Sequence, residues 1–166
     1  MKKEIRLTES KIREIIRESI YRMLKEDTTE DPFAALGIDR DEIMNKSLEA
    51  INDSISKAMD YREPDYSDGG NIEWNFELDP STDDNGYLIE DDDLGLWVVL
   101  SAKGTIYGYE TYDNGSYDTP PSGDMEINDI VLEFAEISFY VDPGNKFSYL
   151  DDTTIDIKPY IESQLK

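Results

Sequence analysis

The residues whose types and spacing come nearest to doing chemistry lie in one acidic stretch, Ser81-Thr82-Asp83-Asp84-Asn85-Gly86-Tyr87-Leu88-Ile89-Glu90-Asp91-Asp92. A calcium loop of the EF-hand kind takes oxygen donors at its first, third and fifth positions, glycine at the sixth and a bidentate acid at the last. Asp83, Asn85 and Gly86 fit that spacing, and Leu88 supplies the aliphatic residue such loops carry. Ser81 stands where the first acid belongs, and Asp92 is one methylene shorter than the usual glutamate. The segment before it alternates like a strand, whereas an EF-hand needs an entering helix. The stretch is therefore expected to be a solvated hairpin loop. Asp83, Asn85 and Asp92 are at most a weak cation-binding set, and no resident metal or cofactor is expected.

The other acids give less. Glu90, Asp91, Asp92 and Asp93, or Asp151 and Asp152, have the type needed for magnesium ligands or for the paired carboxylates of a glycosidase. Adjacent acids on turns are ordinarily solvated charge, and nothing in the pattern predicts the cleft that perturbs a catalytic carboxyl. The chain has no cysteine and no histidine. That removes thiol nucleophiles, disulfides, serine–histidine triads and His- or Cys-ligated metals together. Gly69 and Gly70 lack the lysine and spacing of a phosphate-binding loop. The chain is expected not to be an enzyme. Tyr107, Tyr109 and Tyr112, with Tyr117, form an aromatic run able to stack on a base, a sugar or a protein partner, or simply to pack a sheet.

Charge narrows the partners. The 166 residues hold 16 Lys and Arg against 39 Asp and Glu, for a net charge of −23. Direct contact with phosphate backbones or anionic membrane surfaces is disfavoured, because few cations are present to release counterions. No apolar run is long enough to span a bilayer. The Met1-Lys2-Lys3 start leads into a charged amphipathic segment, not the apolar core of a secretory signal. The charge is also divided. Residues 1–26 hold eight basic and five acidic groups, a charge of +3, and the other 140 residues carry −26.

The elements that must position these groups follow from periodicity. Ile12, Ile15, Ile16, Ile20, Met23 and Leu24 recur at steps of three and four, which predicts an amphipathic helix over 8–25 capped by Thr8. Leu7 and Ile12 have staple spacing, and Lys25 falls where a cation suits a helix end. Residues 27–37 read as an acidic linker with a short turn at 33–36 closed by Gly37. A second helix is predicted over 40–61, capped by Asp39, with Ile43, Met44, Ser47, Leu48, Ile51, Ile55, Ala58 and Met59 on its apolar face; Pro64, Gly69 and Gly70 stop it. Strands are predicted over 72–78, 94–100, 105–112, 126–134, 135–141 and 153–157, with a weak one over 147–150. Turn chemistry separates them at 84–86, 103–104, 113–115, 120–123 and 142–145. Pro159 opens a terminal helix over 159–165. The fold class is α+β: N-terminal amphipathic helices, then an antiparallel sheet as a sandwich or partly open barrel, then a short C-terminal helix. The expected division is a basic docking helix over 1–26, a linker over 27–37 and an acidic domain over 38–166.

The N-terminal helix resembles a short helix carried by many small proteins of tailed bacteriophages, including crAss-like phages of gut Bacteroidales, and of their hosts. Thr8, Ile12, Arg13, Ile15, Ile16, Arg17, Glu18, Ser19, Met23 and Leu24 match that pattern. The stretch 112–121 followed by 124–127 is similar to small phage β-proteins with a Tyr- and Pro-rich loop before an acidic strand. The resemblance implies a phage-like origin more than a chemistry, and it carries over no catalytic residues. With the charge division it gives the leading expectation: a non-enzymatic phage accessory or virion-associated protein, found in the virion or host cytoplasm. It would dock on a capsid, tail or other protein through Ile12, Ile15, Ile16, Ile20, Met23 and Leu24, flanked by Arg13 and Arg17. The alternative is an acidic inhibitor or DNA mimic acting on a nucleic-acid-binding enzyme. A weak carboxylate–metal hydrolase is a third reading.

Overall fold

The computed structural model describes residues 8–26, 31–60, 70–113, 115–116, 118, 122–141 and 148–165. Helix α1 (Glu9–Glu26) begins where expected, with the Thr8 hydroxyl accepting from the Lys11 N–H at 3.3 Å. Helix α2 (Pro32–Leu36) follows, then α3 (Arg40–Asp60). The Asp39 carboxylate accepts from the Asp41 and Glu42 N–H groups and closes the α3 N-terminus. A 3₁₀ turn at Asp84–Gly86 separates strand β1 (Gly70–Leu78) from β2 (Tyr87–Asp91). Strands β3 (Leu96–Asp113), β4 (Ser122–Val141) and β5 (Ser148–Asp156) lead to helix α4 (Lys158–Gln164).

The α+β class holds, and every strand pairing is antiparallel. The strands form one open sheet in the order β1-β3-β4-β5, with β2 also on β3. With all five strands in one sheet it is not a two-sheet sandwich, and helices supply the second layer. β1 pairs with residues 102–110 of β3 and β2 with residues 96–99, so the two lie end to end along one edge of a long strand.

That strand corrects the sequence reading. Lys103 and Gly104 were expected to turn the chain, but β3 runs straight through them, and 126–134 and 135–141 likewise join into β4. Gly104 marks a close approach of chains. A Cβ there would meet the Val131 carbonyl oxygen at 2.6 Å and the Phe76 ring at 2.8 Å. Next to it Lys103 pairs with Phe134 and Gly104 with Leu132, leaving Glu133 as a bulge; a second bulge at Asn128 faces Tyr107 and Gly108. Such insertions bend a long ribbon without ending it. β2 lies in the stretch expected to be a loop.

Along β3 the even-numbered residues Leu96, Val98, Leu100, Ala102 and Ile106 are buried under the helices. α3 lays Ile43, Met44, Ala50, Ile51 and Ile55 on that face. Residues 31–37, expected as the end of a linker, fold into the body instead. Asp31 caps α2, Pro32 opens it, and Gly37 closes it in the left-handed region at φ 66°. Its Phe33 is buried, edge-on to Phe139 of β4 at 5.4 Å between ring centres. α4 adds Ile161 to the same core. The breakers Pro64 and Gly69, the turn at 142–145, Leu7, Tyr117, and Pro120 with Pro121 lie outside the described residues.

Candidate functional site

Helix α1 lies against α2, β4 and β5. Arg13 donates to Asp93 at 2.6 Å and to Glu9 at 2.9 Å. Its hydrogen bond to Glu9 and the charge of Asp93 raise the guanidinium pKa, so it is a permanent cation. Arg17 donates to the backbone carbonyls of Asp92 and Asp93 at 3.2 and 2.9 Å, while its Nε is buried without a partner. Ile20, two turns beyond Arg13, enters the core at 9% exposure. These three residues lie on one side of the helix. The contact turns the rest of the predicted apolar stripe away: Ile12, Ile15 and Ile16 are 43%, 44% and 39% exposed. The side chains of Met23 and Leu24 lie outside the described residues. The expected partner-binding set is thus split. Arg13, Arg17 and Ile20 touch the chain's own body, and Ile12, Ile15 and Ile16 face solvent.

The acidic stretch does not assemble the spacing read from its sequence. Asp83 accepts from the Asn85 N–H and caps the 3₁₀ turn, and the Asn85 side-chain amide donates to Asp53 on α3. Lys57 bridges Asp53 at 3.1 Å and Asp83 at 3.5 Å, and the Asp53 hydrogen bond raises its pKa. A lysine thus sits among these oxygens. Asp92 lies beyond β2, about 16 Å of extended chain further on. Asp83, Asn85 and Asp92 therefore do not form one ligand set, because pairing with β3 pulls the segment straight. Among the described residues no group of three or more Asp or Glu is arranged to hold a metal. The side chains of Asp151 and Asp152 lie outside the described residues.

The sheet face turned away from the helices carries the odd-numbered residues of β3. Tyr107 lies between Glu73 of β1 and Asp129 of β4, and Tyr109 between Asn71 and Glu126. Both tyrosines are exposed. Tyr112, grouped with them by sequence, falls on the opposite face by strand alternation. Further along, Trp97 pairs with Tyr140 on one side and Glu90 on the other, and Val99 pairs with Tyr87. With Asp79 these residues line a hollow of about 490 Å³. Sequence reading missed it. The run 94–100 looks apolar on both faces, and the partners Tyr87, Trp97 and Tyr140 come from three separate strands. Among the described residues no helix is long and apolar enough to cross a membrane. No protein-family model, curated protein or solved structure matches the chain.

Proposed function

We propose that the chain is a non-enzymatic accessory protein that docks on a partner protein through α1. The observation that carries this reading is the exposed triad Ile12, Ile15 and Ile16 on one side of α1, while Arg13, Arg17 and Ile20 on another side hold the helix to the body. Grouped exposed isoleucines of this kind mark interaction surfaces. The resemblance of α1 to the phage helix supports a phage accessory or virion-associated role, with a capsid or tail protein as partner and the virion or host cytoplasm as the location.

The test uses the full chain carrying Ile12→Ser, Ile15→Ser and Ile16→Ser together. The variant is expected to keep its melting temperature and near-ultraviolet circular dichroism while losing co-sedimentation with purified phage particles. Co-sedimentation unchanged by the triple substitution sinks the α1 reading, and absence of the native chain from particles sinks the virion role. A second reading, an acidic inhibitor or DNA mimic, draws support from the −26 carried by residues 27–166 and from the carboxylates flanking Tyr107. A pull-down at low salt that retains no nucleic-acid-binding protein counts against it.

A further inference from the structure

The hollow on the open sheet face lies on the far side of the sheet from α1, so the inference drawn from it goes beyond the α1 reading. Its floor is Val99, only 4% exposed although it belongs to the face without helices. Trp97 and Tyr140 stand side by side on β3 and β4, Tyr87 sits beside Val99, and Glu90 flanks Trp97 from β2. The turn bearing Asp79 is pressed onto this edge. A Cβ on Gly86 would meet Pro80 at 2.9 Å and the Leu100 carbonyl oxygen at 3.0 Å, so only glycine lets the turn close there. The Asp79 carboxylate accepts from the Ser81 N–H at 2.8 Å, and that bond holds its pKa below the usual carboxylate range.

The ligand chemistry follows from what lines the space. Aromatic faces present negative quadrupole potential, two carboxylates stand at the rim, and among the described residues no basic side chain lines the hollow. A phosphate or carboxylate ligand would be repelled. A neutral sugar would stack on the rings but leave the charge unanswered. A planar organic cation answers both, and guanidinium stacks on aromatic rings and forks onto carboxylates better than ammonium does. The same face also carries Tyr107 between Glu73 and Asp129 and Tyr109 beside Glu126, with Lys103, paired to Glu133 at 3.3 Å, between them and the hollow.

We propose that the hollow formed by Tyr87, Trp97, Val99 and Tyr140 takes an arginine side chain from a basic segment of a partner protein, with Asp79 and Glu90 as its hydrogen-bond acceptors. The tested probe is a fluorescein-labelled peptide of three Arg-Gly-Gly repeats, titrated into the full chain by fluorescence anisotropy at 150 mM NaCl beside its lysine and glutamine counterparts. The arginine peptide is expected to bind more tightly than the lysine one, and the glutamine one not at all. Asp79→Asn with Glu90→Gln should weaken binding about tenfold, as should Trp97→Leu. A charge-matched control, Asp41→Asn with Asp60→Asn on α3, should stay within about twofold, because only general screening changes. Equal losses in the control and hollow pairs would mean diffuse attraction to a polyanion and overturn the proposal. So would binding of chitohexaose that depends on Trp97 with no binding of the arginine peptide, which assigns the hollow to a sugar. If Trp97→Leu does not fold, the exposed Glu90→Gln alone decides, and affinity unchanged in it refutes the site.

Discussion

Helices α1 and α3 arise from the same kind of apolar stripe and end in opposite situations. α3 buries Ile43, Met44, Ile51 and Ile55 against the sheet, while α1 buries Ile20 and leaves Ile12, Ile15 and Ile16 exposed. The difference lies in what each helix meets. α3 packs on the apolar face of β1, β2 and β3, whereas α1 lies against α2, β4 and β5 and reaches the Asp92–Asp93 turn, whose carbonyls and carboxylate accept from Arg13 and Arg17. Arginines on one side of the helix dock it by charge and rotate its isoleucines outward. An amphipathic pattern requires a cover but does not choose one.

The sharpest way to break this comparison is through α2, which sits between the two helices in the chain. If α2 belongs with α3 and the sheet, Phe33→Ala should cost about 3–5 kcal/mol, since it empties a buried aromatic site. Urea unfolding measures it, and a loss under about 1 kcal/mol would return residues 31–37 to the linker. The next effect compares the stripes directly. Ile51→Ala, at a fully buried position, should cost about 2–5 kcal/mol. Ile15→Ala should fall within about 0.5 kcal/mol of zero. Equal effects would place the exposed side of α1 in the core.

The caps sharpen the contrast at a smaller scale. Asp39→Ala should lower global stability by about 1 kcal/mol, because α3 unfolds with the sheet. Thr8→Ala removes a similar bond, but its effect should show in amide exchange across residues 9–16 and barely in the global transition. Salt should give the smallest change, with opposite signs in the two regions. Raising NaCl screens the crowded carboxylates, so the melting temperature should rise. The same screening weakens the Arg13–Asp93 contact, so exchange in α1 should speed up. A melting temperature that falls with salt would contradict the repulsion argument, and α1 exchange that slows would contradict the charge docking.

Much of the fold was legible because local physics wrote it. Thr8 and Asp39 announce helix starts through backbone capping, and the face of α3 is readable from Ile43 to Ile55. β1 shows its buried side in Ile72, Phe76 and Leu78. Glycine misled where it served packing instead of turning: Lys103 and Gly104 look like a hairpin, and only the Phe76 ring and the Val131 carbonyl across the strand explain the residue. β2 was hidden because its five residues include two acids, so its composition resembles a loop. Phe33 was hidden in an acidic context; its partner Phe139 is 106 residues away in sequence.

The candidate surfaces divide the same way. Composition alone removed thiol, disulfide and histidine chemistry, because an absent residue type is absent in any fold. The charge division and the α1 stripe are likewise properties of the chain read in order, since helical spacing depends on neighbours three and four residues apart. Which half of that stripe stays bare depends on contacts distant in sequence, with β4, β5 and the Asp92–Asp93 turn, the last more than 70 residues away. The separation of Asp92 from Asp83 and Asn85 came from the pairing of β2 with β3, and the hollow around Val99 from bringing Tyr87, Trp97 and Tyr140 together across three strands. Strand pairing is a non-local contact, and its register sets which residues share a face.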